Sequence, residues 1–131
     1  MTESTFEQGL AIRKEVLSAE HVERSFAGAD DFSRPYQELV TEYCWGAVWG
    51  RPGLPRKTRS LLNLAMLTAL GREEEFKLHV RAAFRNGVTK EEIREVLLQA
   101  AIYCGVPAAN SAFKQAREVF AQMAQEGPAS P

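Results

Sequence analysis

A chain of 131 residues can bury one substantial core but is short for two, so it is expected to fold as one unit. Its 45% hydrophobic and 25% charged residues are ordinary for a soluble globular protein, and a formal net charge of −1 offers nucleic acid or an anionic membrane no electrostatic hold. Cys44 and Cys104 are the only cysteines and fit no metal-spaced or C-x-x-C pattern, which argues against structural zinc and a local dithiol.

The apolar spacing is helical almost throughout, with no convincing alternating strand. The segment 3–17 places Phe6, Leu10, Val16 and Leu17 toward one side, and Ser18 is positioned to cap a second helix running through Phe26. Asp30, Asp31 and Ser33 offer N-caps before Pro35, which suits the first turn of a helix reaching about Trp49. The aromatic group Tyr36, Tyr43, Trp45 and Trp49 on that helix reads as core or interface. "GRPGLPRK", residues 50–57, is a loop by its glycines and prolines. The following "TRSLLNLAMLTALG" is apolar on nearly every side, the pattern of a helix central in a core or covered by another subunit.

Gly71 and Gly87 are natural helix stops, because a left-handed C-cap costs glycine nothing. Thr89 with Glu92 fits a capping box opening a helix over 90–104, with Ile93, Val96, Leu97, Ala100 and Cys104 on its apolar stripe. After "GVPAAN" a last helix, about 108–124, turns Phe113, Ala116, Phe120 and Met123 inward, and the final residues are expected to fray. The N-terminus carries neither a basic segment nor an apolar stretch of the secretory kind, and no uncharged run approaches the roughly twenty residues that span a bilayer. A cytoplasmic protein is expected.

"EEEFKLHVRAAFRNG", residues 73–87, carries the candidate chemistry. At about 100° per residue, Phe76, Val80, Ala83 and Phe84 form its core stripe, with Arg72, Glu75 and His79 along one edge. A half-buried carboxylate one turn from an imidazole can hold a proton near neutral pH and serve as a general acid; equally, the pair can be a surface contact worth a few tenths of a kcal/mol. Arg56, Lys57 and Arg59 cluster where the loop enters the apolar helix, placed either to bind a carboxylate or to keep that surface soluble. His21 reads as a surface residue and Cys104 as a small buried hydrophobe.

"KTRSLLNLAMLTALGR", "LHVRAAFRNGVTKEEIREVLL" and "AIYCGVPAAN" together resemble the 4-carboxymuconolactone decarboxylases of the protocatechuate (β-ketoadipate) branch of aromatic degradation. The likeness extends upstream through "FEQGLAIRKEVL" and "ADDF" to "YQELVTEYCWGAVW". It implies an all-α, alkylhydroperoxidase-D-like bundle of six to seven helices over residues 1–126, with a helical extension (1–30), a core (33–124) and a flexible tail (127–131), assembling as a ring trimer or hexamer. It also implies loss of CO2 from a lactone dicarboxylate without cofactor or metal. The roles then fall on His79 as proton donor, Glu75 as tuner or relay, Arg59 and Arg72 as substrate grips, and Trp45 or Tyr103 beside the departing carboxylate. The peroxidases of the wider superfamily use C-x-x-C-x-x-x-H; aligned on His79, their cysteines fall on Arg72 and Glu75, and the glutamate of their preceding helix falls on Ser60. A thiol-dependent peroxidase or disulfide reductase using Cys44 and Cys104 is the rival enzyme. A non-enzymatic helical oligomeric module is the other alternative, and the faint helix-turn-helix rhythm of "TKEEIREVLLQAAIYCGVP" lacks a basic recognition face.

Overall fold

The computed structural model describes residues 3–127, and these are helical with no strand among them. The order is α1 (Thr5–Leu17), α2 (Ala19–Ala27), α3 (Arg34–Leu39) running into a π-helical segment (Val40–Val48), α4 (Arg56–Leu70), α5 (Glu73–Arg85), α6 (Lys90–Tyr103) and α7 (Val106–Glu126). The all-α expectation holds. The contacts divide the chain into two compact units, which meet in sequence between Arg59 and Ser60 on α4.

The first unit is organised by close backbone approach. A methyl group on Gly9 of α1 would lie 1.9 Å from the Thr41 carbonyl oxygen, and one on Gly46 would lie 2.3 Å from that of Thr5. Only glycine lets α1 and the π-helical segment come this near. Ser18 ends α1 and begins α2 at once: its φ is 95°, a region glycine favours, yet its Oγ accepts from the His21 amide at 3.1 Å, as expected of an N-cap. Before α3 the capping work falls to Asp30, whose carboxylate accepts the amides of Phe32 and Ser33 at 3.1 and 3.0 Å; these bonds hold it below the usual carboxylate pKa.

Two features of this unit depart from expectation. The aromatic helix does not continue as an α-helix to Trp49; from Val40 it widens, ending with a bond from the Trp49 amide to the Cys44 carbonyl at 3.0 Å, five residues back. The widening starts where Thr41 Oγ1 donates to the Gln37 carbonyl at 2.7 Å, a side-chain bond that competes with the α-helical ladder. Arg13, on the inward side of α1, is buried, donating from Nη1 to Thr41 Oγ1 at 3.0 Å with its guanidinium carbon 5.8 Å from the centre of the Phe26 ring. Of the aromatic group, Trp45 and Trp49 are buried with ring centroids 4.8 Å apart, whereas Tyr36 and Tyr43 are exposed.

The second unit has the apolar core: Leu64, Phe76, Val80, Ala83, Val88, Ile93, Leu97, Ala112, Ala116 and Val119. The helix stops fall where expected. Gly71 at φ 69° lets the Arg72 amide reach back to Leu67 at 3.1 Å, and Gly87 at φ 85° lets Val88 reach Ala83 at 2.9 Å. The Thr89–Glu92 capping box forms in both directions, at 3.1 and 2.8 Å. On α4 the buried residues are Ser60, Leu64 and Thr68, not the leucines on every side. Thr68 satisfies its hydroxyl on the Leu64 carbonyl at 2.7 Å, and Ser60 accepts from Asn86 Nδ2 at 2.9 Å. Leu62, Met66 and Leu70, four residues apart, stay exposed on another face of the helix. Cys104 is exposed rather than buried, since Gly105 breaks the helix beside it. The expected fraying beyond Gly127 lies outside the described residues.

Candidate functional site

Helix α5 presents its first three residues, Glu73, Glu74 and Glu75, to its own N-terminus, where carboxylates complement the helix dipole. That supplies a local reason for Glu75 independent of chemistry. Glu75 is exposed and makes no hydrogen bond or ion pair with another described residue. One turn further, His79 is half-buried between the fully buried Phe76 and Val80. Its Nδ1 lies 3.4 Å from Nδ2 of Asn63 on α4. The ring is therefore tied to the neighbouring helix through an amide, rather than along its own helix through Glu75.

Asn63 was absent from the residues singled out by pattern and resemblance. The signal was present: an amide in the middle of "SLLNLAML" is a polar group placed in an apolar run, and such a group is kept where it finds a partner.

The cations of α5 separate by partner. Lys77 Nζ lies 3.1 Å from Glu118 on α7, a hydrogen-bonded pair that raises its pKa, and Arg81 grips Glu126 through both carboxylate oxygens at 2.9 Å. These two are staples between helices. Arg72, at the N-cap of α5, is exposed and lines a cavity of about 190 Å3 with Thr68, Phe76, Ala112 and Gln115. That volume is below the roughly 300 Å3 at which small-molecule pockets usually begin, and Glu73 lines the hollow beside Arg72, so by size it admits one arm of a ligand rather than the whole. A larger hollow of about 520 Å3 lies along α6 and α7 with Lys90, Arg94 and Arg117 at its edge, and includes none of the candidate residues.

In the first unit, Arg56 forms an ion pair with Glu15, while Arg59 donates Nη2 to the Arg51 carbonyl at 3.3 Å. Arg59 Nε is buried without a hydrogen-bond partner among the described residues. A guanidinium with an unused buried N–H has donor capacity for a carboxylate. Trp45 is buried in the π-helical segment. Tyr103, the last residue of α6, is 83% exposed and in the isolated chain stands in solvent.

Both cysteines are free and reach the surface. Burial around the Cys44 sulfur nevertheless pushes its thiol above the ordinary value, outweighing the nearby Arg13 guanidinium, and so lowers the thiolate population on which peroxide chemistry depends. His21 is half-buried rather than on the surface. Burial first, then Arg13 and Arg24, hold its pKa down.

Against known proteins, residues 34–118 match the model of the carboxymuconolactone decarboxylase family. The chain is 50% identical to a 4-carboxymuconolactone decarboxylase of Acinetobacter baylyi across 90% of its own length and 88% of the relative's. It is 46% identical to a nitrosuccinic acid decarboxylase of Metarhizium robertsii across 93% and 85% of the two chains. A match of this extent, covering the α4–α5 pair that carries His79 together with most of α7, places the chain in the carboxymuconolactone decarboxylase family.

Proposed function

We propose that this protein removes CO2 from 4-carboxymuconolactone, giving 3-oxoadipate enol-lactone, without a cofactor. The observation that carries the reading is the 50% identity with the Acinetobacter baylyi enzyme over nearly the whole of both chains. The chemistry asks little of the protein. As the carboxylate leaves, its bonding electrons pass through a conjugated double bond into the lactone carbonyl, so the substrate is its own electron sink. What remains is to hold a dianion, stabilise the developing dienolate oxygen and protonate the carbon beside that carbonyl.

His79 is the proposed proton donor, half-buried and held at Nδ1. Glu75, exposed at the helix start, is assigned at most a long-range tuning or relay role. Arg59, with its unused Nε, and Arg72, at its small hollow, are the proposed grips on the acetate arm and the lactone. The departing carboxylate belongs in an apolar place, near Trp45 or Tyr103, because a tight hold on it would oppose its loss.

Arg59→Ala separates two roles. If the guanidinium binds ground state and transition state equally, KM rises with kcat unchanged; if it stabilises the dienolate, kcat falls as well. Kinetics like those of wild type in both parameters would remove Arg59 from the site.

Nitrosuccinic acid shares the essential design, being a dicarboxylate whose departing carboxylate leaves its electrons to an acceptor, the nitro group. The second relative therefore favours a 2-nitro dicarboxylate as an alternative substrate. Purified protein assayed with each compound in the presence of chelator decides between them. Loss of the ultraviolet absorbance of the lactone supports the proposal, release of CO2 from the nitro acid alone replaces its substrate, and inactivity on both overturns the assignment.

The working form is proposed to be a homo-oligomer, a ring trimer or hexamer. Leu62, Met66 and Leu70 on α4 are 45, 52 and 69% exposed, and Ile102 and Tyr103 at the end of α6 more so, which leaves apolar surface that a second copy would cover. Sedimentation should give a species several times the 14.6 kDa of one chain; a stable monomer at micromolar concentration contradicts the proposal. Among the described residues no helix is long and apolar enough to cross a membrane, and free thiols fit the reduced cytoplasm proposed as its location.

A further inference from the structure

We infer that the hollow between α6 and α7 is a binding site for a flat aromatic carboxylate and shares no residue with the proposed decarboxylation site. Its volume of about 520 Å3 is within the roughly 300–1,000 Å3 of small-molecule pockets. The two helices build it from one spacing. On α6, Lys90, Ile93, Arg94 and Leu97 recur at i, i+3, i+4 and i+7, and so line one face. On α7, Phe113, Ala116, Arg117 and Phe120 do the same, so the two stripes share a furrow. Lys90 Nζ stands 4.7 Å from the centre of the Phe120 ring, which sets the start of one stripe beside the end of the other, as antiparallel helices require.

Ala116 gives the furrow its depth, because between Phe113 and Phe120 it projects only a methyl group. Ile93, Leu97 and Ala116 are buried beneath it, and the two phenylalanine rings are half-buried. A flat ring can stack or meet edge-on with such walls, which a branched aliphatic body cannot. At the rim, Lys90, Arg94 and Arg117 outnumber the one carboxylate, Glu91. Arg94 is partly engaged by Glu95 at 3.6 Å and Lys90 by the Phe120 ring. Arg117 is exposed and makes no hydrogen bond or ion pair with another described residue. Its planar fork is open to a carboxylate, the group it matches through two parallel hydrogen bonds.

A second copy laid on this face about a two-fold axis would set the cationic rim against its own counterpart, and like charges so placed oppose the contact. A small anion meets no such repulsion.

The test uses naphthalene-2-carboxylate as probe, with the uncharged naphthalene-2-carboxamide as its match in shape. The chain has three isoleucines, Ile12, Ile93 and Ile102, so methyl-labelled full-length protein gives few signals, and Ile93 in the floor of the furrow reports a ring placed against it. The carboxylate should shift the Ile93 methyl resonance with a Kd of about 1 mM or tighter, and the amide should bind at least about tenfold more weakly. Arg117→Glu reverses one exposed charge; it should keep the wild-type melting temperature and weaken the carboxylate by at least about tenfold. Arg72→Ala, at the smaller hollow, should leave the affinity unchanged. An Ile93 resonance unmoved at millimolar probe, equal affinity for carboxylate and amide, or an Arg117→Glu protein that binds like wild type overturns the inference. A change of sedimentation in Arg117→Glu without a change of affinity gives the face to a second copy and overturns it too, as does loss of binding in Arg72→Ala, which would put the probe in the proposed active site. The titration needs no turnover, so inactivity on the lactone would sink the substrate assignment and leave this one standing.

Discussion

His79→Gln should leave a folded protein whose kcat on 4-carboxymuconolactone is lower by at least about 100-fold, within the 10²–10⁴ that a positioned general acid contributes. Glutamine can still hydrogen-bond to Asn63 but has no transferable proton near neutral pH. If the proton is delivered in the rate-limiting step, kcat and kcat/KM fall by the same factor, because the lost interaction exists only in the transition state. The fold should survive, since the ring is only half-buried and the apolar stripe beneath it, Phe76 and Val80, is untouched. Turnover within a few-fold of wild type, with an unchanged melting temperature, would remove His79 from the mechanism. Glu75→Gln provides the contrast: an exposed side chain without a hydrogen bond or ion pair among the described residues should cost no more than a few-fold in rate. A Glu75→Gln loss as large as that of His79→Gln would restore the relay role to Glu75.

The largest expected effect on stability is at Gly9. Its added methyl would meet the Thr41 carbonyl oxygen at 1.9 Å, the Gly46 amide nitrogen at 2.7 Å and the Thr41 carbonyl carbon at 3.0 Å. All three are backbone atoms, so no side-chain rotation relieves the clash and α1 must move off the π-helical segment. That separation would also break the Arg13–Thr41 hydrogen bond and strand a buried guanidinium. Gly9→Ala should therefore destabilise by about 3 kcal/mol or more, at the upper end of overpacking effects. Urea denaturation measures it, with Gly53→Ala as the control: among the described residues nothing lies within 4 Å of that methyl, and stability should stay within about 1 kcal/mol of wild type. A Gly9→Ala protein as stable as the control would mean that the two helices do not pack as closely as described.

Much of the helical layout was legible because it is decided locally. Ser18 over His21, Thr89 with Glu92, and the glycines at 71 and 87 act over three or four residues, and each does in the structure what its position in the chain indicates. The stripe of α5 was legible for the same reason: Phe76, Val80 and Ala83 recur at helical spacing and are buried. The widened turn after Val40 was not, because it accompanies Thr41 bonding to the Gln37 carbonyl while Arg13, 28 residues away, reaches the same hydroxyl. Nor was the burial of Arg13, whose charge reads as solvent-facing until its partners are known.

The apolar run of α4 shows the limit most directly. A helix that is apolar all round has no face that its own sequence can select, and the faces buried here carry Ser60 and Thr68 because Asn86 and the Leu64 carbonyl are there to satisfy them. Asn63 belongs to the same class: its type and position were visible, its partner was not. By itself the sequence determined most of the helices, the caps at Ser18 and Thr89, the family and the histidine worth testing, all of which depend on neighbours in the chain or on whole motifs. Tertiary structure alone decided that His79 meets an amide on α4 and not the carboxylate one turn before it. A hydrogen bond needs two groups within about 3.5 Å, and for residues 16 positions apart only the packing of two helices sets that distance.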